Sequence, residues 1–518
     1  MSDSSTPGIN ARTAVPTLLV SVFIISICSI LYELLISSVS SYFMGSAVLH
    51  FSIVIGLFLS SMGVGSYLSR FVQRHLLDWF IGVESLLSLI GGLSCIVLYF
   101  AFSLTPYFYL VGFLLILTLG ILIGVEIPIL TRVMRRYDNL RDALANILSF
   151  DYLGALIASI LFPLLLLPTL GSMRTAFAVG LLNLLVAVAN TQLFRAQLQH
   201  ATTYLVAQAI IGAVLLSGFV YSFQIIGFFE TQLYRDEIVL SRQTPYQQIV
   251  VTRYNQDVRL FINGGLQFST RDEYRYHEPL VHVPAALAAK REHILVLGGG
   301  DGLAVRELLR YPDVGRIEVV DLDPEITNLA RRNPLFRQVN ADAMLDERVT
   351  IHNTDAFKFV EQSSDIYDLI LVDLPDPNGT ALGKLYSVSF YKILRRRLAA
   401  GGAVVTQSTS PYFVPRAFWS IHRTMEQAFD TVVPYTSYVP SFGQWGFNMA
   451  FGSERASFSV PRLSEQLFDR RSMDFRYLNR EMLPGLFVFG QDIAEPADVE
   501  VNRLDNQILL QYYEQGWQ

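Results

Sequence analysis

Charge is scarce in this chain. Of 518 residues, 16% are Asp, Glu, Lys or Arg, where about 25% is usual for a soluble domain. The shortage is uneven: Thr17 to Phe229 holds few charges and the remainder an ordinary share. Cysteine is scarcer still. Cys28 and Cys95 both lie in apolar runs, which excludes a disulfide framework and any cysteine metal site of familiar spacing. No basic stripe with interleaved aromatics occurs, and a net charge of −6 argues against a nucleic-acid partner. A cleavable leader is not expected either. The first apolar run, about Pro16 to Phe43, is too long for a signal-peptide core and lacks a small-residue cleavage site.

What the first half has instead is length. After Pro16–Phe43 come apolar runs near 47–68, 80–101, 108–130, 147–169, 174–194 and 204–226. Each reaches roughly the 18–20 residues needed to span a bilayer. A transmembrane α-helical bundle of about seven helices is therefore expected over 1–229. Glu33, Glu84, Glu126 and Asp151 fall inside these runs. Ionisable groups there are costly in lipid and are functional candidates, unless they only bond neighbouring helices. Arg70 and Arg74, then Arg132, Arg135, Arg136 and Arg141, then Arg195 occupy alternate loops. The positive-inside rule puts the N-terminus inside, and seven crossings would carry the second half outside.

In the second half, "EIVLSR", "QQIVVTRY", "VRLFING" and "LQFST" alternate in polarity between 237 and 270, with a turn signal at Asn263-Gly264. They predict a small antiparallel sheet. An α/β rhythm follows, with strands expected at 293–297, 316–320, 349–352, 368–372 and 403–407. Alternation of this kind predicts a parallel, doubly wound, Rossmann-like sheet, with its ligand beyond the carboxyl ends of the strands.

Those ends are acidic. The first strand runs into Gly298–Gly302 with Asp301 inside the glycine turn; the others lead to Asp321 and Asp323, to Asp355, and to Asp373 and Asp376. A glycine turn opening a helix ordinarily welcomes an anion, which a carboxylate there opposes. Asp321, about twenty residues on, suits ribose hydroxyls, and Asp355 suits an adenine edge. Asp301, Asp373 and Asp376 exceed what an adenosine needs. The excess points to a cationic ligand or a metal, and no His cluster or closer spacing demands a metal. An adenosine bearing a positive charge and no phosphate, an S-adenosyl sulfonium, fits such a turn.

These residues resemble the spermidine synthase (polyamine aminopropyltransferase) family over roughly 237–455. "INGGLQFSTRDEYRYHEPLVHVP" (262–284) resembles its signature between small β-domain and Rossmann-like domain. "VLGGGDG", "VVDLDP", "DAF" and "DLPDP" follow in the family's order. The fused helices resemble a membrane-bound bacterial subgroup. The resemblance implies transfer of the aminopropyl group of decarboxylated S-adenosylmethionine, a co-substrate, to a polyamine, most often putrescine. No cofactor or metal is implied. Carried over by motif, Asp301 holds the amine end of the aminopropyl chain, Asp321 the ribose and Asp355 with Ala356 the adenine, with Gly298 and Gly300 in the nucleotide turn. Gln247 and Gln267 match polar positions lining the site, and Tyr276 a tyrosine near the reacting amine. Asp373 matches the proton acceptor and Asp376 a diamine ligand. His277 reads as a hydrogen-bonding wall residue.

The chemistry agrees. With a pKa of about 10.4, roughly one alkylamine in two thousand is neutral at pH 7, a penalty of about 4 to 5 kcal/mol on attack. A carboxylate beside the amine can both bind the cation and accept its proton. One departure stands out. Where soluble relatives carry a second site tyrosine before a "GQ"-like turn, "SYVPSFGQWGF" (437–447) holds Pro440 or Ser441, with Tyr438 near. That segment looks more like relatives taking longer or differently oriented polyamines. Two rival readings are a SAM-dependent methyltransferase and a non-catalytic polyamine-binding or transport membrane protein.

The expected division is a transmembrane domain at 1–229, a small β-domain at 230–285, a Rossmann-like domain at 286–455 and a helical tail at 456–518. The tail ends in "QYYEQGWQ" and is expected to serve packing or assembly. A multi-pass membrane protein is expected, with lipid as a partner and a homo-oligomer, dimer or tetramer, as its state. The catalytic domain is expected in the cytoplasm, where its substrate is made, against the seven-crossing count.

Overall fold

A computed structural model describes residues 11–44, 47–135, 137, 139–234, 236–452, 458–469 and 473–516. Arg136 of the arginine-bearing loop and Trp517 and Gln518 of the aromatic terminus lie outside them. The chain divides into two compact units, Met1–Asp236 and Glu237–Gln518.

The first unit is helical: α1 (Ala11–Met44), α2 (Ala47–Leu68), α3 (Leu76–Leu104), α4 (Phe108–Met134), α5 (Leu140–Leu161), α6 (Leu167–Leu193), α7 (Ala201–Val220) and α8 (Ser222–Tyr234). Small residues let the rods approach closely. Gly120 and Gly124 of α4 lie four apart on the face toward α2, where a Cβ would come within 2.5 Å of Ser61 and 2.1 Å of the Met62 carbonyl. Glu84 and Glu126 are buried inside the unit, while Glu33 and Asp151 are half-buried.

Six helices among the described residues are long and apolar enough to cross a membrane. The sequence reading had about seven runs; the difference lies in Arg141–Leu193, one helical run of 53 residues. At 1.5 Å per residue it would reach about 80 Å if straight, far beyond a bilayer core. Gly171 breaks it, with φ +72° and ψ 173°. Both sides of the break pack on the same stretch of α1. Ser26 donates to the Asp151 carbonyl from one side, and the Cys28 thiol reaches the Val179 carbonyl on the other. The run therefore supplies two rods joined by a reversal.

The second unit opens with an antiparallel sheet of β1 (Glu237–Gln243), β2 (Gln248–Tyr254), β3 (Asp257–Ile262) and β4 (Gly265–Ser269), in that order. Asn263 and Gly264, both at positive φ, form the tight hairpin turn their dipeptide favours. The sheet buries Val251, Leu260 and Phe268 against Leu303, Ile326, Leu329 and Phe336 of the α/β layer.

That layer holds seven strands: β5 (His293–Gly298), β6 (Arg316–Asp321), β7 (Val349–Asn353), β8 (Tyr367–Asp373), β9 (Leu398–Gln407), β10 (Val432–Val439) and β11 (Gly443–Phe451). The order is β10-β11-β9-β8-β5-β6-β7. β5 to β9 are parallel, and β10 and β11 are an antiparallel hairpin on the β9 edge. This hairpin was not foreseen: β10 contains Pro434, which is confined to edge strands, and β11 is buried on both faces without alternation. β5 lies between β8 and β6, so the chain order reverses at its carboxyl end, where such sheets bind ligands.

Among the described residues, the expected helical tail is mostly irregular. Besides Val460–Ser464 and Ile508–Gly516, it runs as loops and short turns over the α/β layer. Side chains and backbone hold it there: Leu463, Leu483 and Leu486 join the core around Tyr435 and Phe447. The Glu278 carboxylate accepts the N–H groups of Arg476, Tyr477 and Leu478.

Candidate active site

The glycine turn after β5 is glycine-rich because of its neighbours. Gly298 has φ +81°, and a Cβ on it would lie 2.1 Å from the Asp373 carbonyl oxygen. On the other side a Cβ on Gly300 would meet the Asp321 carboxylate at 2.4 Å. Gly299 N–H donates to the Asp373 carbonyl at 3.0 Å and Gly300 N–H to the Asp321 carboxylate at 3.2 Å. The two acids thus flank the turn because β8 and β6 flank β5.

Asp301 stands inside this turn, its carboxylate accepting the Leu303 N–H at 2.9 Å. Asp321 also accepts the Asp323 N–H at 2.9 Å. Withdrawal from water pushes Asp301 up to about 6, eased by His277 and reinforced by Asp373. The same desolvation pushes Asp321 up to about 6, against its backbone hydrogen bonds. Asp373 takes the Tyr276 hydroxyl at 2.6 Å. Desolvation raises its pKa, while His277 and Tyr276 oppose the rise. Asp376 is pushed up to about 6 by desolvation, though Gln407 and Thr409 each reach it at 3.4 Å and Tyr513 at 2.9 Å. All four carboxylates are half-buried. Among the described residues none of the four forms an ion pair with Lys or Arg.

The other expected site residues are placed unequally. His277, 2% exposed, bonds both the Glu273 carbonyl and carboxylate through Nδ1 at 2.9 Å. Desolvation lowers its pKa, but Glu273 outweighs this and the net direction is up, which favours the charged imidazole beside Asp301 and Asp373. Burial, then the Asp373 charge, raise the Tyr276 phenol well above its ordinary value, so it donates and does not ionise. Asp355 caps the helix Ala356–Gln362 through the Lys358 N–H at 3.0 Å. Its other oxygen takes Lys384 Nζ at 2.6 Å. Burial pushes Asp355 up, the Lys384 bond pulls it down further, and the net is a lowered pKa. Gln247 is half-buried in a turn tied by Thr244 to the Asp323 carboxylate at 2.7 Å. Gln267 donates its amide to the Gly265 carbonyl of its own hairpin at 3.1 Å. The structure does not bring it into hydrogen bonding with the acidic group.

In the departing segment Ser441 is tied to Asp272 through N–H (2.7 Å) and hydroxyl (2.8 Å), and Tyr438 is 59% exposed. Neither supplies a second phenol. Phe442, Trp445 and Phe447 instead surround Tyr276, with ring centroids 5.3 to 6.5 Å away. Four residues were not foreseen: Lys384 on Asp355, and Gln407, Thr409 and Tyr513 on Asp376. No local signal marked them, except that Thr409 sits at φ +59°, a strained setting for a β-branched residue. Elsewhere, His293, Glu318 and Asp365 lie close enough to hold a metal. There Glu318 already takes His293, His352 and Arg316.

Comparison with known proteins gives the chain its relatives. The spermine/spermidine synthase domain matches residues 273–462. A polyamine aminopropyltransferase of Leptospira interrogans is 43% identical over 501 residues, covering 96% of this chain and 98% of its own. Polyamine aminopropyltransferase 1 of Ralstonia nicotianae is 42% identical, covering 99% and 97%. A solved spermidine synthase in complex with the transition state analogue AdoDATO covers 49% of this chain and 86% of its own, at 22% identity and TM-score 0.45. The two bacterial relatives match the helical first half as well as the second, and the chain belongs to the polyamine aminopropyltransferase family.

Proposed function

We propose that this enzyme moves the aminopropyl group of decarboxylated S-adenosylmethionine onto a polyamine, with putrescine as acceptor and spermidine as product. The observation that carries the reading is Asp373. Its backbone meets the nucleotide turn at Gly298 and Gly299, and its carboxylate takes the Tyr276 hydroxyl at 2.6 Å. One residue thus joins the turn facing the sulfonium to the place of the amine.

On this reading Asp321 holds the ribose and Asp301 the amino end of the aminopropyl chain, with Asp355 and Ala356 at the adenine. Asp376 holds the far ammonium of the acceptor. The near ammonium gives a proton to Asp373, and its freed lone pair attacks the methylene beside sulfur. The new C–N bond forms as the C–S bond breaks, and the pair left on sulfur makes neutral methylthioadenosine. Tyr276, held un-ionised, keeps Asp373 oriented, a positioning role. Fixed carboxylates at the ends of two flexible cations supply alignment, and the proton transfer is general-base catalysis. The family's chemistry uses no cofactor, the sulfonium being a co-substrate.

We propose further that residues 1–229 are a membrane domain, and that 230–285, 286–455 and the tail 456–518 work as one catalytic unit. The site of synthesis of the nucleotide favours the cytoplasm for that unit, while seven rods with inward arginine loops favour the opposite side. A reporter fused at the C-terminus decides: cytoplasmic signal supports the substrate argument, and external signal the arginine pattern.

The function is tested on detergent-solubilised full-length protein given decarboxylated S-adenosylmethionine with putrescine, cadaverine, spermidine or no amine. Methylthioadenosine and the new polyamine are followed by mass. Putrescine-dependent release is the expected result. Folded protein releasing none with any amine would sink the reading and favour polyamine binding alone.

A further inference from the structure

We propose that Tyr513, from the helix Ile508–Gly516, is a specificity-determining residue that closes the acceptor end of the site and limits the length of amine accepted. The proposal rests on the aminopropyl-transfer reading above, and deepens it at Asp376. Two of Asp376's partners belong to the α/β layer: Gln407 ends β9 and Thr409 follows it, each at 3.4 Å. The closest partner is remote in sequence. Tyr513 Oη donates to Asp376 Oδ2 at 2.9 Å across 137 residues.

The helix that presents Tyr513 is firmly seated. Leu509 and Tyr512 are buried with Val414, Ala417 and Phe418. Gly516 passes so near the Phe413–Val414 backbone that a Cβ would come within 2.8 Å of the Phe413 carbonyl. Upstream, the buried Asn502 donates to the carbonyls of Gly383 and Tyr386 at 3.0 and 3.1 Å. Its own carbonyl accepts the Val388 N–H at 3.1 Å. The tail therefore holds the segment that follows Asp376 as well as reaching Asp376 itself.

The consequence concerns the acceptor. A diamine has one ammonium at Asp373 and its second at Asp376, and it ends there. A triamine must continue past Asp376, where the phenol stands. The hydroxyl's bond to Oδ2 orients Asp376 before the amine arrives. Thr409, one of Asp376's partners, holds φ +59°, a strained backbone setting beside this carboxylate.

The test uses full-length enzyme carrying Tyr513→Ala, Tyr513→Phe or Asp373→Asn, with putrescine and spermidine as acceptors. Wild-type enzyme should prefer the diamine. Tyr513→Ala should raise the spermidine-to-putrescine ratio of kcat/KM by about tenfold or more, the KM for the nucleotide staying within about twofold. Tyr513→Phe, which keeps the ring and loses the donor, should leave that ratio in place and raise the putrescine KM about threefold to tenfold, as for the loss of one hydrogen bond of ordinary net strength. A wild-type preference for the triamine would overturn the proposal. So would a ratio unchanged in Tyr513→Ala whose thermal melt matches wild type. Should that variant not fold, an unmoved putrescine KM in Tyr513→Phe overturns it. Asp373→Asn separates the two claims. Turnover surviving there defeats the site reading itself, whereas turnover lost there with Tyr513 variants unaltered defeats the present proposal alone.

Discussion

Two groups of carboxylates in the catalytic unit differ in their company. Glu273 and Glu307 are 2% and 5% exposed and paired with arginine. Arg306 grips both oxygens of Glu273 at 3.0 and 2.9 Å, with His277 at 2.9 Å. Glu307 takes His282 at 3.0 Å, Arg306 at 3.0 Å and Arg310 at 2.6 Å. Burial pushes both up, but these partners outweigh it and hold them below their ordinary values. Asp301, Asp321, Asp373 and Asp376 are more open and, among the described residues, form no ion pair with Lys or Arg, and their pKa values move up. An acid with its cation built in belongs to the scaffold. On the proposed reading, an acid kept without one at the carboxyl ends of the strands suits a cation that arrives from outside.

The sharpest break in that comparison is Asp373→Asn. If Asp373 takes the proton of the amine, turnover falls on the order of 10³-fold, within the range for a general base. Methylthioadenosine affinity, measured by calorimetry, should stay within about threefold. Equal loss of both would return Asp373 to the scaffold group.

Arg306→Met attacks the other group. It removes the cation shared by Glu273 and Glu307 and leaves buried charge less compensated, a loss of about 3 kcal/mol in stability. Chemical denaturation should show this, with the ratio of acceptor specificities unchanged in the folded fraction. A variant as stable as wild type would mean the arginine is ornamental.

The two groups also carry opposite pH signatures. Lowered acids stabilise the fold above their unfolded values, near 4 to 4.5, and that gain is lost as pH falls through their folded values. Raised acids do the reverse. Between about pH 4 and 6 the unfolded chain has given up protons that Asp301, Asp321 and Asp376 still hold, so ligand-free stability falls as pH rises through this window. Bound cations remove that cost. Amines with a pKa near 10.4 stay charged throughout, so the pH dependence belongs to the protein. The rise in melting temperature given by putrescine with methylthioadenosine should be several degrees larger at pH 7 than at pH 5. An equal shift at both would count against cation binding by these acids.

Much of this was legible before the fold was seen. β5, β6 and β8 have mostly buried interiors rich in Val, Ile and Leu and end in Gly298, Asp321 and Asp373, because parallel central strands are buried on both faces and their ends are not. The order of those acids along the chain, with the glycine turn, was enough to bring Asp301, Asp321, Asp373 and Asp376 to one edge. The company each acid keeps was not legible. Arg306, Lys384 and Tyr513 reach their carboxylates across 33, 29 and 137 residues, and nothing local records such pairings. Gly171 is similar: composition shows an apolar run, and only the backbone shows that it turns back.

Asp355 falls between the two groups and yields the smallest effect. It stands at the end of β7 with the site acids, yet Lys384 bonds it at 2.6 Å and its pKa is lowered like that of a scaffold acid. The pair is partly open to water, at 35% and 24% side-chain exposure, so solvent screening limits it to below about 1 kcal/mol. Lys384→Met should therefore leave the denaturation midpoint nearly unmoved. If Asp355 meets the adenine edge, releasing its second oxygen changes the nucleotide KM about twofold to threefold without altering kcat. A KM that does not move would assign Asp355 to capping the helix Ala356–Gln362 through Lys358, and would leave four acids rather than five facing the ligand.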